Sequence, residues 1–371
     1  MNTSRIAASL AALSVVLAAP GARGDETGPN FTFGAATSFV YDINQPDDQV
    51  THENQKTYAD GESEESFNVD LVQIGASGSR GIVSYGTKID FGDWSAAIQD
   101  NIDGDAALQE MYLAIDTGPV LLSAGRMPTP IGYEVLEPWA DPNISRSRAW
   151  FFQPVSHDGA AVAGNYGGVS MMAAVVNGFQ TGDHDLNNPD DEYGVIASFG
   201  MPFDNIDTRL SAIYSDEKDS IRYWEVNALA SGRWDKWRYG LETTYLGGDG
   251  HGNGSGQPVP QDVDVYDVTG YGGITVGKWS GDVRLSYTDQ KGTNGNYFNQ
   301  NHDKIVSFTL TGGYEIVDGV IFRAEYRIDS SNEPIFDDHN SMLTAAGPVG
   351  QADTINVINV QLLWTPATGL H

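Results

Sequence analysis

Apolar and charged side chains alternate one for one along residues 319–329, GVIFRAEYRID. Val320, Phe322, Ala324, Tyr326 and Ile328 form one set, and Arg323, Glu325, Arg327 and Asp329 form the other. A period of two is the signature of a β-strand with one apolar and one polar face. In a soluble sandwich the apolar face would be the core. In an outer-membrane barrel it would face lipid, and the charges would line a wet interior.

The same period recurs through the chain in segments of about ten residues, the length a tilted membrane strand needs. The first is NFTFGAATSFVY at 30–41, with Phe31, Phe33, Ala35, Thr37, Phe39 and Tyr41 on one face. Others begin near Phe67, Arg80, Ala107, Val120, Gly159, Gly168, Tyr193, Asp207, Arg222, Lys236, Val263, Gly281, Lys304, Val320 and Thr354. About sixteen strands are expected, with fourteen as the alternative count. No long amphipathic helix is predicted.

The connections alternate as well. Tight turns are expected at 116–119, 166–168, 202–205, 232–236, 277–281 and 315–319. Long polar loops are expected at 42–65, 92–106, 128–157, 179–191, 247–262, 290–302 and 331–353. Short turns at one end and long loops at the other is the layout of an outer-membrane barrel; a Greek-key sandwich would not alternate so regularly. The expected fold is therefore all-β, a transmembrane antiparallel up-and-down barrel with short periplasmic turns and long extracellular loops. Two aromatic girdles agree: Phe31, Trp237, Tyr314 and Trp364 toward the turns, and Tyr41, Phe67, Phe91 and Tyr245 toward the loops. The last strand, TINVINVQLLW at 354–364, ends on an aromatic, a feature that barrel-assembly machinery reads, although seven residues follow Trp364 here.

Residues 1–24 carry Arg5, an apolar run from Ile6 to Ala19, a Pro20–Gly21 break and the small-residue site ARG. This predicts a cleaved signal peptide, with 25–371 as the barrel, and places the mature protein in the cell outer membrane. After Gly24 no stretch reaches the ~18 apolar residues of a membrane helix. The 371-residue chain has no cysteine and a formal charge of −30; the leader holds Arg5 and Arg23 and no acid, so its removal gives −32. That sign excludes nucleic acid as a partner.

If the apolar phase meets lipid, the other phase lines the interior. It includes Asp70, Lys88, Asp90, Glu110, Arg209, Glu225, Arg238, Glu242, Arg284, Arg323, Glu325 and Arg327, six acids and six bases. These are the candidate pore-lining residues. In a dry core such charges would cost several kcal/mol each unless paired; in a water-filled barrel of this strand number they cost little. Arg323→Ala is accordingly expected to leave folding intact and alter ion selectivity. The acid surplus falls in the loops. Segment 42–65 holds Asp42, Asp47, Asp48, Glu53, Asp60, Glu62, Glu64 and Glu65 against Lys56, and 179–192 holds Asp183, Asp185, Asp190, Asp191 and Glu192 with no base. An acidic mouth attracts cations. Loop 128–157 differs from the others in being basic and aromatic. An inward fold would make Glu134, Arg146 and Arg148 a constriction; the competing reading is a loop on the rim, with its arginines bonded to backbone carbonyls.

The region 125–178 resembles the OmpL-like family of outer-membrane β-barrel porins. The matching features are Gly125–Arg126, TPIGYE at 129–134, SRS at 145–147, QPVSHDG at 153–159 and VVNGF at 175–179. The resemblance implies an outer-membrane channel and carries no catalytic residues.

Enzyme chemistry is not expected. All seven histidines (His52, His157, His184, His251, His302, His339 and His371) are assigned to loops or the tail, and no G-x-S-x-G elbow is present. Ser156 and His157 beside a buried carboxylate would revive it. DNIDGD at 100–105 misplaces the glycine of a calcium loop, and GHGNGSG at 250–256 lacks the Lys-Ser/Thr of a phosphate loop. No cofactor or specific metal site is expected; the clustered loop acids are candidates for loose Ca²⁺ or Mg²⁺, bridging lipopolysaccharide. The expected function is passive diffusion of small hydrophilic solutes or ions, favouring cations. The alternative is a surface-exposed binding protein or adhesin using the barrel as an anchor. Expected partners are outer-membrane lipid and lipopolysaccharide, the barrel-assembly machinery, small solutes and a second copy in a homo-oligomer.

Overall fold

The computed structural model describes residues 27–45, 57, 65–97, 101–103, 106–179, 193–217, 221–250, 263–292, 302–336, 342–344, 347–349 and 352–365. The proposed leader at 1–24 lies outside the described residues, as do most of the two strongly acidic segments.

Among the described residues, sixteen long strands form the barrel wall, and the three-residue strand Asn101–Asp103 is appended to the same sheet. The sixteen are β1 (Thr27–Asp42), β2 (Glu65–Arg80), β3 (Val83–Phe91), β4 (Ala106–Asp116), β5 (Leu121–Pro128), β6 (Ser156–Tyr166), β7 (Val169–Val176) and β8 (Tyr193–Phe203) in the first half. The second half has β9 (Ile206–Glu217), β10 (Ile221–Trp234), β11 (Trp237–Gly250), β12 (Val263–Val276), β13 (Trp279–Gly292), β14 (His302–Val317), β15 (Val320–Ser331) and β16 (Thr354–Trp364). Each pairs antiparallel with the next, and β1 closes onto β16 from Ala35↔Trp364 to Asp42↔Val357. Closure leaves no unpaired barrel edge, the condition for a sheet to stand in hydrocarbon.

The turn end is tighter than the polarity pattern indicates. Tyr166 and Val169 flank two glycines with positive φ, Gly167 at 62° and Gly168 at 86°. That backbone matches the right-handed twist of the strands. Asp204 (φ 51°) serves the same purpose between β8 and β9, a conformation aspartate tolerates better than most residues. One connection escapes a reading by polarity, Gly81–Ile82 between β2 and β3; another, of three residues between β9 and β10, is polar but is not among the expected loops. The second sits at the loop end, so one external connection is as short as a turn.

The alternation resolves as an inside and an outside. On β15, Phe322 and Tyr326 are exposed outward, while Arg323, Glu325, Arg327 and Asp329 are buried inward. Leu113, Val175, Phe199, Leu241, Leu285, Leu310 and Leu362 continue the outer band. Phe31, Trp237 and Trp364 edge it at the turns, and Phe67, Phe91 and Tyr245 at the loops. A charge at the middle of this band, Leu310→Arg, should lower stability by about 2–4 kcal/mol. Loss of heat-modifiable gel mobility in the membrane fraction would register it; unchanged mobility and unfolding would contradict the lipid-facing assignment.

The inner face is not uniformly polar. Along β6 beyond Gly159, β7 and β8, the buried side chains are Ala161, Ala163, Met172, Ala174, Val176, Ile196 and Ser198, none of them charged. All but Ser198 belong to one apolar cluster with Ile131 and Phe152. In this sector both faces are apolar, so the strands read as continuous hydrophobic runs and polarity alone does not orient them.

Candidate pore constriction

The segment from Thr129 to Val155 leaves β5, folds into the barrel and returns to β6. Pro128, Pro130, Pro138, Pro142 and Pro154 deny it ladder hydrogen bonds and keep it from extending the hairpin. Its root is clamped across β5 and β6 by a bidentate pair: Arg126 Nε donates to Asp158 Oδ1 (2.8 Å) and Nη2 to Oδ2 (2.7 Å).

The loop is bonded to the wall on several sides. Toward β2–β4, Glu137 accepts from Lys88 Nζ (2.7 Å) and from Gln73 and Gln109 (3.3 Å each), and Lys88 also pairs with Glu110 (2.6 Å). Toward β9–β11, Arg209 donates to the Gly132 carbonyl (2.7 Å), and Ser211 to that of Pro130 (2.9 Å). There Glu242 accepts from the Tyr133 amide (3.2 Å) and Gln153 (2.7 Å). Toward β13–β16, Arg284 pairs with Glu134 (2.6 Å) and donates to the Ser145 carbonyl (2.6 Å). Glu325 accepts the amides of Ile144 (2.7 Å) and Ser145 (3.0 Å). Arg327 donates to the Arg146 carbonyl (2.6 Å), and Arg323 to those of Asp141 (2.8 Å) and Pro138 (3.0 Å).

The two loop arginines differ in task. Arg146 is fully buried, donates to the carbonyls of Val135 (2.9 Å), Ile144 (3.2 Å) and Leu136 (2.8 Å), and pairs with Asp141 (2.9 Å). Its guanidinium lies over Trp94 and Trp150. It holds the loop's own shape, so the carbonyl-bonded reading applies to Arg146, on an inward loop rather than one at the rim. Arg148 reaches the wall and pairs with Asp329 (3.2 Å), which Arg327 also holds (2.8 Å).

All twelve candidate lining residues therefore sit on inward positions, nine of them buried and Lys88, Arg209 and Arg238 half-buried. Lys88, Arg209, Glu242, Arg284, Arg323, Glu325 and Arg327 touch the loop. Asp70 instead accepts from Gln361 (2.6 Å), Asp90 from Gln73 (2.9 Å), and Arg238 pairs with Asp282. Glu225 sits between Ile213 and Leu246 in the ladder, and neither of its carboxylate oxygens has a hydrogen-bond partner. The idea that these charges are cheap because water surrounds them is corrected: most are buried and compensated by ion pairs and loop amides. Arg323 is a loop anchor, so its removal is no longer expected to be silent for folding. The wall acids Asp282 and Asp329 and the loop acids Glu137 and Asp141 complete the set. Their signal was present, since the wall pair follows the inward phase, but the loop pair has no period to reveal it.

Burial opposes ionisation of Glu137, but the adjacent Lys88 ammonium prevails and holds its carboxyl below the usual range. A depressed carboxylate adds stability above its ordinary pKa and loses it as pH falls through the lowered value. Acidification below about pH 4 should therefore loosen this flank of the loop. Lys88→Met should abolish that acid-range change, measured as conductance against pH.

Two of the histidines expected in loops lie in strands: His302 opens β14, and His157 belongs to β6. His157 is buried, with Nε2 3.1 Å from Thr129 Oγ1 and no hydrogen-bond partner on Nδ1. The carboxylate that would orient a catalytic histidine is missing from that nitrogen.

A closed sixteen-strand barrel, an apolar outer band and a long inward loop together define an outer-membrane porin. A sequence model described as "Putative beta-barrel porin-2, OmpL-like" matches residues 30–353, and the chain belongs to that family. Solved structures share the fold. The trimer form of OmpT from Vibrio cholerae is 12% identical with a TM-score of 0.59, covering 92% of this chain and 99% of that one. The channel DcaP of Acinetobacter baumannii is 12% identical with a TM-score of 0.59, covering 91% and 96%. An anion-selective porin from Comamonas acidovorans is 11% identical with a TM-score of 0.57, covering 91% and 99%. No curated protein sequence matches the chain.

Proposed function

We propose that this outer-membrane porin passes small hydrophilic solutes and ions by passive diffusion and favours cations. The observation that carries the cation preference is the distribution of charge. The inner-wall candidates balance six acids against six bases, while the loop segments 42–65 and 179–192 hold almost only acids. Paired charges inside contribute little net field, so the unbalanced loops set the potential at the entrance. Glu134 and Arg148, each paired to the wall, form the narrowing in this reading, and Arg146 supports it from within the loop. Acid-rich loops also suit divalent cations that would bridge them to lipopolysaccharide phosphates, and the trimer form of the OmpT structure supports a homo-oligomer.

The loop's attachment to opposite walls favours a second reading, an anchor barrel whose loops bind a partner. Planar-bilayer recording separates the two. A cation-favouring reversal potential, reduced when Asp183, Asp185, Asp190 and Asp191 are replaced by Asn, is expected for the channel. Anion selectivity would overturn the preference, and a silent protein would favour the anchor.

A further inference from the structure

Beneath the loop, on the short-turn side, lies a cavity of about 280 Å³. Tyr133 and Ala140 of the loop line it above, Asp204 and Asn205 of the β8–β9 turn line its lower rim, and Arg209, Arg233 and Arg238 stand along its wall. Arg233 and Arg238 are direct cross-strand partners, a like-charge opposition that normally costs stability. Arg238 is neutralised by Asp282 through Nε (2.6 Å) and Nη2, with Nη1 on Thr275 (2.8 Å). Arg209 is different: its Nη2 holds the Gly132 carbonyl, and its buried Nε–H has no acceptor. Two aspartates also line the cavity, Asp204 and Asp207, and both are exposed. Water screens them, whereas the more deeply set Arg209 guanidinium keeps more of its field.

We propose that this vestibule binds a small organic carboxylate, with Arg209 and Arg233 as its contacts. A guanidinium presents two parallel N–H donors that match a carboxylate's two oxygens, geometry an ammonium lacks. The unused Arg209 Nε–H is one such donor. The volume suits a short mono- or dicarboxylic acid, below the ~300–1,000 Å³ typical of pockets for larger ligands. Burial pushes the Tyr133 phenol up to about 12, so at neutral pH it adds no negative charge to the cavity. The site is independent of the entrance preference. An acidic mouth and a basic vestibule act at opposite ends, and the vestibule is reachable from the periplasmic side.

Isothermal titration of the detergent-purified, heat-modifiable protein with sodium succinate tests this. Saturable binding is expected, with no saturable heat from glucose. Arg209→Gln and Arg233→Gln should each weaken succinate binding tenfold or more. Arg209 also holds the loop, so if its variant fails to fold, Arg233→Gln carries the reading. Absence of saturable heat in the folded wild type would overturn the site, as would wild-type affinity in Arg233→Gln or equal binding of glucose. Because binding is read without ion flux, its failure and that of the cation preference are separate results.

Discussion

Replacing Arg284 by Met should lower the stability of the barrel by about 3–5 kcal/mol and raise single-channel conductance severalfold. Arg284 is 1% exposed, and its guanidinium meets Glu134 at 2.6 Å, the Ser145 carbonyl at 2.6 Å, Ser145 Oγ at 3.0 Å and Thr309 Oγ1 at 3.1 Å. Its loss strands the Glu134 carboxylate, itself 4% exposed, away from water. Removing one member of a buried pair costs far more than removing both. The companion variant Arg284→Met with Glu134→Leu should therefore recover much of the lost stability while keeping the raised conductance, because the loop still lacks its anchor. Urea unfolding in lipid and planar-bilayer recording read the two effects. A single variant no less stable than the double would contradict the pairing.

Replacing Glu325 by Gln should cost about 2–4 kcal/mol through loss of charge-assisted hydrogen bonds and mismatched donors. Four donors converge on its carboxylate: the amides of Ile144 and Ser145, Thr311 Oγ1 at 2.7 Å and Asn359 Nδ2 at 3.1 Å. A carboxylate accepts all four, whereas an amide side chain must turn an NH₂ toward some of them. The 144–145 turn of the loop should detach, with larger current fluctuations and faster trypsin cleavage after Arg146 or Arg148. Cleavage and current noise equal to wild type would show that the loop is held elsewhere. Arg323→Ala should act in the same direction by freeing the carbonyls of Pro138 and Asp141.

The barrel was legible because a membrane strand has only two environments, lipid and interior, and a period of two sorts side chains between them. Phe322 and Arg323 could be assigned to opposite faces from neighbouring letters alone. Turn Tyr166–Gly167–Gly168–Val169 was equally plain, since glycine marks the positive φ that a two-residue hairpin requires. Where both environments are apolar, as at Ala161, Ala174 and Ile196, the sorting fails. The polar connection Lys218–Asp219–Ser220 was missed because it lacks the length by which the other loops are recognised.

Sequence by itself determined the strand number to within about two, the end that carries the long loops, the phase of each charged position and the excess of acid outside the strands. These are local quantities, set by side-chain period and turn chemistry. The tertiary structure alone decided what the charges meet. Glu134 and Arg284 are 150 residues apart, and Arg148 and Asp329 are 181 apart. No local pattern can announce that a proline-broken loop will cross the lumen and supply their partners. The same sequence phase accommodates a bare, wet wall or a wall bonded to a loop, because alternation reports only which way a side chain points. What it touches depends on closure of the barrel, which brings β2–β4 and β13–β16 around one segment.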